Sequence, residues 1–450
     1  MSILERVTEG KLRLECSEIR IGRAGSTPVQ IKGPGSIESN DRGSLNYRFH
    51  ISSVDHDRLR RNLFRGVRPA GGLVPADEFL ILTAVSYSDG EWTGRASNPG
   101  TDGAVSGPGI ATGDVYELAS TRKTGSSESD YVKFYLPGRL AFPAIIATQR
   151  EESRAGEVVS FSRTRDAAEF ETGEGKTLIC RRGDHTEIEC TLRLGGITKN
   201  RHLRLMEALT FALGQPIWPA AIALVSEGER TEILRATDAS LATAASGNPP
   251  LQFGYNDPVR DVYDIAASYY QKVVGCETAE EHPVSSGVFS VVQAARDTIE
   301  IQVLGLAIAA ESLIESAFKD IVPVQADLKE EIEQFKEELK KMSVSSTLKS
   351  RIAGAIDPML TPRNSDRIWA FVNRYRLGEE IFDAWKKLRN LSAHGGRIPY
   401  GEMEKVWHRR NQVLHLCHSI VLAFIGYSGV RTNYCVPGHP NEEFKTANKE

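Results

Sequence analysis

The pattern of apolar and polar positions changes period part-way along the chain. Up to about residue 195, apolar residues come in short runs: Lys11–Ile21, Ser44–Ser52, Phe79–Tyr87, Tyr131–Tyr135 and Val158–Ser162. These are rich in Val, Ile, Tyr, Phe and Leu, and Gly, Pro, Asn, Asp and Ser separate them, which predicts strands. Lys176–Leu194 predicts a hairpin: TLICRR and TEIECTLRL flank Gly183-Asp184-His185, and apolar residues alternate along the second arm. Gly94–Gly113, crowded with Gly, Ser and Thr, predicts a long loop. Past Thr198 the spacing turns helical, in His202–Leu213 and Val259–Val274, with SGNPP as a break between them. From about Val284 to Ser428 it is helical throughout. The predicted helices are Gly287–Asp320, Ala326–Met342, Thr347–Met359, Ser365–Arg374, Gly378–Ala393 and Glu402–Ile425. Ser365 before Asp366 suits an N-cap, and Gly395-Gly396 suits a helix end. The tail from Tyr427 is polar and carries two prolines, so its end is expected to be poorly ordered. The fold class is therefore α+β and multidomain. A β-rich N-terminal domain (1–195) precedes a helical connector (196–283), an all-α C-terminal bundle (284–428) and a tail (429–450).

Composition narrows the functional classes. A chain of 450 residues, 40% hydrophobic, can fill more than one core. Its net charge of −4 excludes a chain that binds polyanions over its whole surface. One segment departs from that balance: Lys341–Arg410 carries 14 Lys/Arg against 7 Asp/Glu. The start, MSILERVTEGKLRLE, has no long apolar run and reads as no signal peptide. The apolar stretches Val303–Ala310 and Ser419–Gly426 fall short of the roughly 20 residues a membrane span needs, so no membrane partner is expected. Six scattered cysteines without a pairing pattern suit free thiols in a reducing cytoplasm.

The stretch with most chemistry is Ala384–Arg397, AWKKLRNLSAHGGR. Arg389 and Asn390 are followed, after three residues, by His394. Positions five apart on a helix lie about 140° apart, but a last turn that unwinds before two glycines lets Arg389 and His394 converge on one phosphate. A neutral imidazole takes a proton from a ribose 2′-OH near neutral pH, and the freed oxygen attacks the adjacent phosphorus. A guanidinium forks onto the phosphate oxygens and stabilises the growing charge. Asn390 supplies a further donor or orients the histidine. A helix C-terminus beside His394 raises its pKa, so an acid role for the protonated ring is equally open. By spacing alone Arg-x4-His is a weak pattern, equally at home in a capped helix end.

In its context the string resembles the RNxxxH form of the Arg-x4-6-His motif of HEPN domains. A long upstream helix has an acidic residue in an apolar face, Leu306-Ala-Ile-Ala-Ala-Glu311-Ser-Leu313; the motif helix and a last long helix, Glu402–Ile425, follow. The resemblance covers about Val284–Ser428. It implies a metal-independent endoribonuclease without cofactor: Arg389, Asn390 and His394 catalytic, Glu311 supporting, RNA as partner, and a homodimer or higher homo-oligomer through the HEPN domain. The layout, β-rich domain, helical connector and C-terminal HEPN-like bundle, resembles ApeA-type anti-phage proteins. That implies abortive-infection defence, a phage-derived trigger and a sensing or restraining β domain. Glu311, set among alanines and leucines, needs a partner for its charge, and Arg389 is the natural one.

Other readings remain open. Arg374, Arg376, Lys386, Lys387 and Arg397, with Arg363, Arg367, Arg409 and Arg410, suit phosphate contacts, or equally solvated helix faces. The helical region could be a non-catalytic HEPN module that dimerises or grips RNA. Gly43-Ser44, ten residues and Asp55-His56-Asp57 fit the GS-x10-DxD pattern of minimal nucleotidyltransferases. However, the spacer LNYRFHISSV reads as a strand where such an enzyme needs a helix N-terminus. His408, His415 and His418 share one face of the last helix but suit packing better than metal binding. GPGSIESNDRGS lacks the Gly-Lys-Ser/Thr of a phosphate-binding loop.

Overall fold

The computed structural model describes residues 2–23, 31–41, 43–52, 80–97, 100–102, 109–124, 130–154, 157–173, 175–192, 201–237, 247–254, 259–276, 282, 284–323, 326–356, 361–393, 398 and 400–446. It forms two compact units. The first comprises Met1–Met206, Pro216–Ala245 and Phe253–Ala267, and the second Glu207–Gln215, Ser246–Gln252 and Ser268–Glu450. The first is β-rich and the second mainly helical, so the α+β layout holds.

The first unit starts with α1 (Ile3–Thr8). Its Ser2 hydroxyl accepts from the Glu5 amide, while the Glu5 carboxylate accepts from the Ser2 amide. Strands β1 (Arg13–Arg23), β2 (Ile31–Ser39), β3 (Leu45–His50), β4 (Leu80–Ser86), β5 (Gly90–Ala96), β6 (Gly100–Asp102) and β7 (Ile110–Lys123) follow. β1 pairs with β2 and β4, β2 with β3, β4 with β5, and β7 with both β3 and β5. Six antiparallel strands thus close into a barrel, with β6 added along β7. Alternate residues fill it, among them Leu14, Ile37, Tyr47, Phe49, Leu82, Trp92 and Val115, all nearly inaccessible.

Glycine lets β2 pass close to β3. A Cβ at Gly35 would lie 2.1 Å from the Arg48 carbonyl oxygen. Gly33 and Gly35 of GPGSIESNDRGS therefore serve strand packing, while Gly43, at φ 81°, serves the turn before β3. Of the expected loop Gly94–Gly113, residues 98–99 and 103–108 lie outside the described residues, and the described ones are mostly strand, finishing β5, forming β6 and beginning β7.

β7 outruns the barrel. Its first half pairs with β3 up to Val115, and from Glu117 the same edge takes β14 (Glu229–Arg235). The sheet continues through β13 (Ala221–Ser226), β8 (Tyr131–Pro137), β12 (His185–Leu192), β11 (Gly175–Arg182), β10 (Glu157–Glu171) and β9 (Ile146–Arg154). The hairpin expected over Lys176–Leu194 is present as β11–β12, with Arg182 opposite His185 and a turn of Gly183 and Asp184. The stretch expected to be a helical connector instead supplies β13 and β14 between α2 (Arg201–Leu213) and α3 (Asp261–Val273). Glu227 and Gly228, at φ 52° and 77°, make the tight turn that joins these two strands.

The helical region follows the predicted order: α4 (Ser285–Ala294), α5 (Ile299–Phe318), α6 (Ala326–Lys341), α7 (Ser346–Ile356), α8 (Asn364–Arg374), α9 (Glu379–Ala393) and α10 (Met403–Phe424). The single helix expected over Gly287–Asp320 is two, broken at residues 295–298, where Thr298 adopts an extended conformation and starts α5. Ser365 lies inside α8 rather than capping it. Arg363 takes the cap position, and its amide donates to the Asp366 carboxylate at 3.2 Å. α5 packs against α4, α8, α9 and α10, burying Val303, Leu306, Ala307, Ala310, Leu313 and Ile314. By length and composition alone it would suffice to cross a membrane, contrary to the shorter runs expected: the apolar character continues past Glu311. The tail adds a hairpin, β15 (Gly429–Thr432) with β16 (Asn441–Phe444).

Candidate functional site

Two contacts fix α9 against α5. The Trp385 indole N–H donates to the Ala307 carbonyl at 3.4 Å, and one turn later the Arg389 Nε donates to Glu311 Oε1 at 2.6 Å. Residues 385 and 389 match 307 and 311, so one turn of α9 is registered on one turn of α5. Trp385 and Leu388 are buried and act as the anchor. Arg389 and Glu311 lie at the rim, with 53% and 24% of their side chains exposed. The ion pair expected for Glu311 is thus present, and it leaves half of the Arg389 side chain facing solvent.

The residues around Arg389 are polar and open. Lys386, Lys387 and Asn390 are all exposed. Lys386 and Asn390 lie one turn apart on a single face of α9, with Arg389 beside them. Lys387 lines a smaller cavity of about 480 Å³ with Asp383, Glu404 and Arg409. His394 and Arg397 lie outside the described residues, as do Asp55 and Asp57 of the nucleotidyltransferase pattern. α9 is described to Ala393, the residue before His394.

The remaining basic candidates separate. Arg367 is buried: its Nε donates to the Lys319 carbonyl and its Nη1 to Asn364 Oδ1. Arg410 is 1% exposed, and donates to Gln302 Oε1 at 2.6 Å, Asn411 Oδ1 at 2.8 Å and the Ala295 carbonyl at 3.4 Å. Burial pushes this guanidinium down to about 10. Neither arginine is available to a phosphate; both tie helices together. The charge count made them candidates, but only the packing shows which arginines are spent inside.

Arg374 and Arg376 flank the junction between α8 and α9, at the opposite end of α9 from Arg389. They line a cavity of about 1240 Å³ with Tyr375, His408, His415, Arg431 and Phe444. The tail hairpin forms one wall. There, the Arg431 Nε donates to Glu442 Oε1 at 2.8 Å and its Nη1 to the Ser419 hydroxyl at 2.6 Å. Sequence reasoning missed this cavity because it read the tail as a polar extension, poorly ordered toward its end, and expected no strands in it. The signal present was the alternation of Val430, Thr432 and Tyr434, beside a charged second arm.

The histidines of α10 divide in the same way. His408 is exposed, while His415 and His418 are buried. Burial, reinforced by Arg431 and His418, pushes His415 well below the usual histidine range, against a weaker backbone contact with Thr432. Burial, then Arg410 and Arg431, pushes His418 down to about 3. Among the described residues no three His, Cys, Asp or Glu side chains are grouped to hold a metal ion. No protein-family model matches the chain, and no curated protein or solved structure matches it.

Proposed function

We propose that this protein is an endoribonuclease of the HEPN class that cleaves RNA by 2′-OH attack without a metal. The observation that carries the reading is the Glu311–Arg389 pair. A carboxylate holds a half-exposed arginine side chain at the rim of a helical bundle, in the last turns of the helix that leads into His394. In this reading Arg389 binds the scissile phosphate and stabilises its developing charge. His394 removes the 2′-OH proton or protonates the 5′-oxygen leaving group. Asn390 adds a donor, and Lys386 and Lys387 hold flanking phosphates. The products are a 2′,3′-cyclic phosphate and a 5′-OH end.

The dimer expected for the class has a candidate seam on α5. Ile301, Leu304 and Ile308 are 44–56% exposed, and with Glu311 and Glu315 they repeat at alternating steps of three and four. The apolar stripe therefore runs into the ion pair, and a second copy on it would bring two Arg389 side chains into one cleft. The layout further supports a role in anti-phage defence, with the β-rich unit as sensor or brake.

One observation favours a non-catalytic module instead: an ion-paired Arg389 offers an RNA phosphate less net charge. The experiment that decides is cleavage of RNA by purified protein in EDTA, wild type beside His394→Ala, with end-group analysis. Cyclic phosphate ends from the wild type alone support the nuclease. Equal cleavage by both, or none from either in the presence of phage components, rejects it.

A further inference from the structure

Arg376 occupies a position that favours glycine. α8 ends with the Leu377 amide donating to the Val372 carbonyl and the Arg376 amide to the Asn373 carbonyl, which places Arg376 in the left-handed region at φ 53°. A side chain there costs backbone energy that glycine would avoid. The guanidinium gains no compensation from an ion pair, because among the described residues neither Arg376 nor Arg374 makes one. Both line the cavity of about 1240 Å³, large enough for a small organic ligand.

The other charges of this cavity are already matched. Arg431 and Glu442 neutralise each other at 2.7 Å, and the Lys445 ammonium lies 3.4 Å from Glu443. Two guanidiniums remain against Glu380, which gives the cavity a preference for an anion. A second feature lies deeper. His415 is 3% exposed and lines the cavity, yet its Nδ1 makes no hydrogen bond of good geometry. Its Nε2 lies 3.7 Å from Glu442 Oε1, beyond hydrogen-bond range, so the neutral ring can present Nδ1 to a ligand as donor or acceptor. Tyr375 and Phe444, near-parallel at 11° with centroids 6.2 Å apart, add aromatic surface.

We propose that this cavity binds a nucleoside phosphate, with Arg374 and Arg376 holding the phosphate and His415 Nδ1 exchanging a hydrogen bond with a sugar hydroxyl or the base. The site stands apart from the RNA-cleaving end of α9 and its occupancy does not depend on cleavage. It lies where α9 begins, about 15 Å along the helix from Arg389 at 1.5 Å per residue. A ligand there would bear on the helix that carries Arg389.

The test is calorimetric titration of the full chain with AMP and ATP, beside inorganic phosphate. At least one nucleotide is expected to bind with a Kd below about 1 mM, and phosphate at the same concentration should not displace it. Arg374→Gln and Arg376→Gly should each weaken binding about tenfold, since each removes a charge-assisted contact. Arg376→Gly also suits the positive φ, so its melting temperature should not fall, and lost binding in that variant cannot be ascribed to unfolding. Three results overturn the proposal: no nucleotide binding at millimolar concentration, unchanged affinity in the double variant, or equal binding of phosphate alone.

Discussion

Replacing Glu311 separates a structural ion pair from a functional one. The pair is short but open, with 53% of the Arg389 side chain and 24% of the Glu311 side chain exposed. Exposed pairs are worth about 0–1 kcal/mol, because water screens the attraction and two side chains lose freedom. Glu311→Ala should therefore lower stability by no more than about 1 kcal/mol, a melting shift of roughly 2–4 °C for a unit of this size. Cleavage should respond differently. Freed from its carboxylate, Arg389 keeps its charge but loses its fixed position, and misplacing a transition-state contact by about 1 Å costs on the order of 10²-fold. Arg389→Ala removes the contact outright and should cost about 10²–10³-fold. The assay is the initial rate on end-labelled RNA in EDTA, with urea denaturation run alongside. In the double variant the losses should not multiply, because Glu311 acts through Arg389. Wild-type cleavage by Glu311→Ala, a stability loss above about 2 kcal/mol, or multiplying losses would each refute the reasoning.

Further outcomes follow from the packing. Arg410→Ala should destabilise the second unit by about 3–5 kcal/mol, since Gln302, Asn411 and the Ala295 carbonyl lose a buried donor. A chemical-denaturation loss under 1 kcal/mol would contradict that role. His415 and His418 are held neutral when folded, whereas the unfolded chain protonates them below about pH 6.5. The unfolded state then binds more protons, so stability should fall as pH falls, by roughly 2 kcal/mol between pH 6.5 and 5 for His418, with His415 acting in the same direction. Denaturation curves at pH 7, 6 and 5 test this, above the range where carboxylates titrate; a flat profile would contradict it. Gly35→Ala should weaken the barrel by roughly 1–3 kcal/mol or more, because the added methyl meets backbone 2.1 Å away rather than a yielding side chain. Leu304→Lys should leave the monomer's circular dichroism unchanged while abolishing a dimer in light scattering and slowing cleavage; a retained dimer would remove α5 from the interface.

The helices were legible and much of the sheet was not. α8, α9 and α10 carry apolar residues at steps of three and four for three or more turns, and their ends fell within a residue or two of expectation. Strands with one buried face, such as β3 and β4, alternate clearly. β2 and β5 do not, because Gly33, Gly35 and Gly94 stand where neighbouring backbones approach, and glycine reads as loop in a sequence. β13 and β14 were lost to their surroundings: they lie between two helices, and apart from the hairpin they make with each other their partners are roughly 90 or more residues away in sequence, with Val225 opposite Tyr131 and Arg235 opposite Glu117. The site divides in the same way. The Glu311–Arg389 pair could be anticipated because an isolated carboxylate in an apolar face needs a cation. That Arg410 and Arg367 are spent inside the fold could not, since burial of a charged residue depends on tertiary neighbours.

α5 joins these threads. Its composition alone would suit a lipid bilayer, yet one face is covered by four helices and the opposite one keeps Ile301, Leu304 and Ile308 half exposed. A second copy would bury six such side chains, three from each copy; full burial is worth about 1.5–3 kcal/mol apiece, and since they are half covered already about 5–9 kcal/mol in all remains to be gained. Association costs at least about 4 kcal/mol in lost freedom, so the stripe alone holds a second copy weakly. A seam that is weak alone, and that ends in Glu311, suits a dimer completed by something further, such as an RNA strand bridging two Arg389 side chains. Substrate and partner would then each strengthen the binding of the other, because both interactions depend on the same turn of α5.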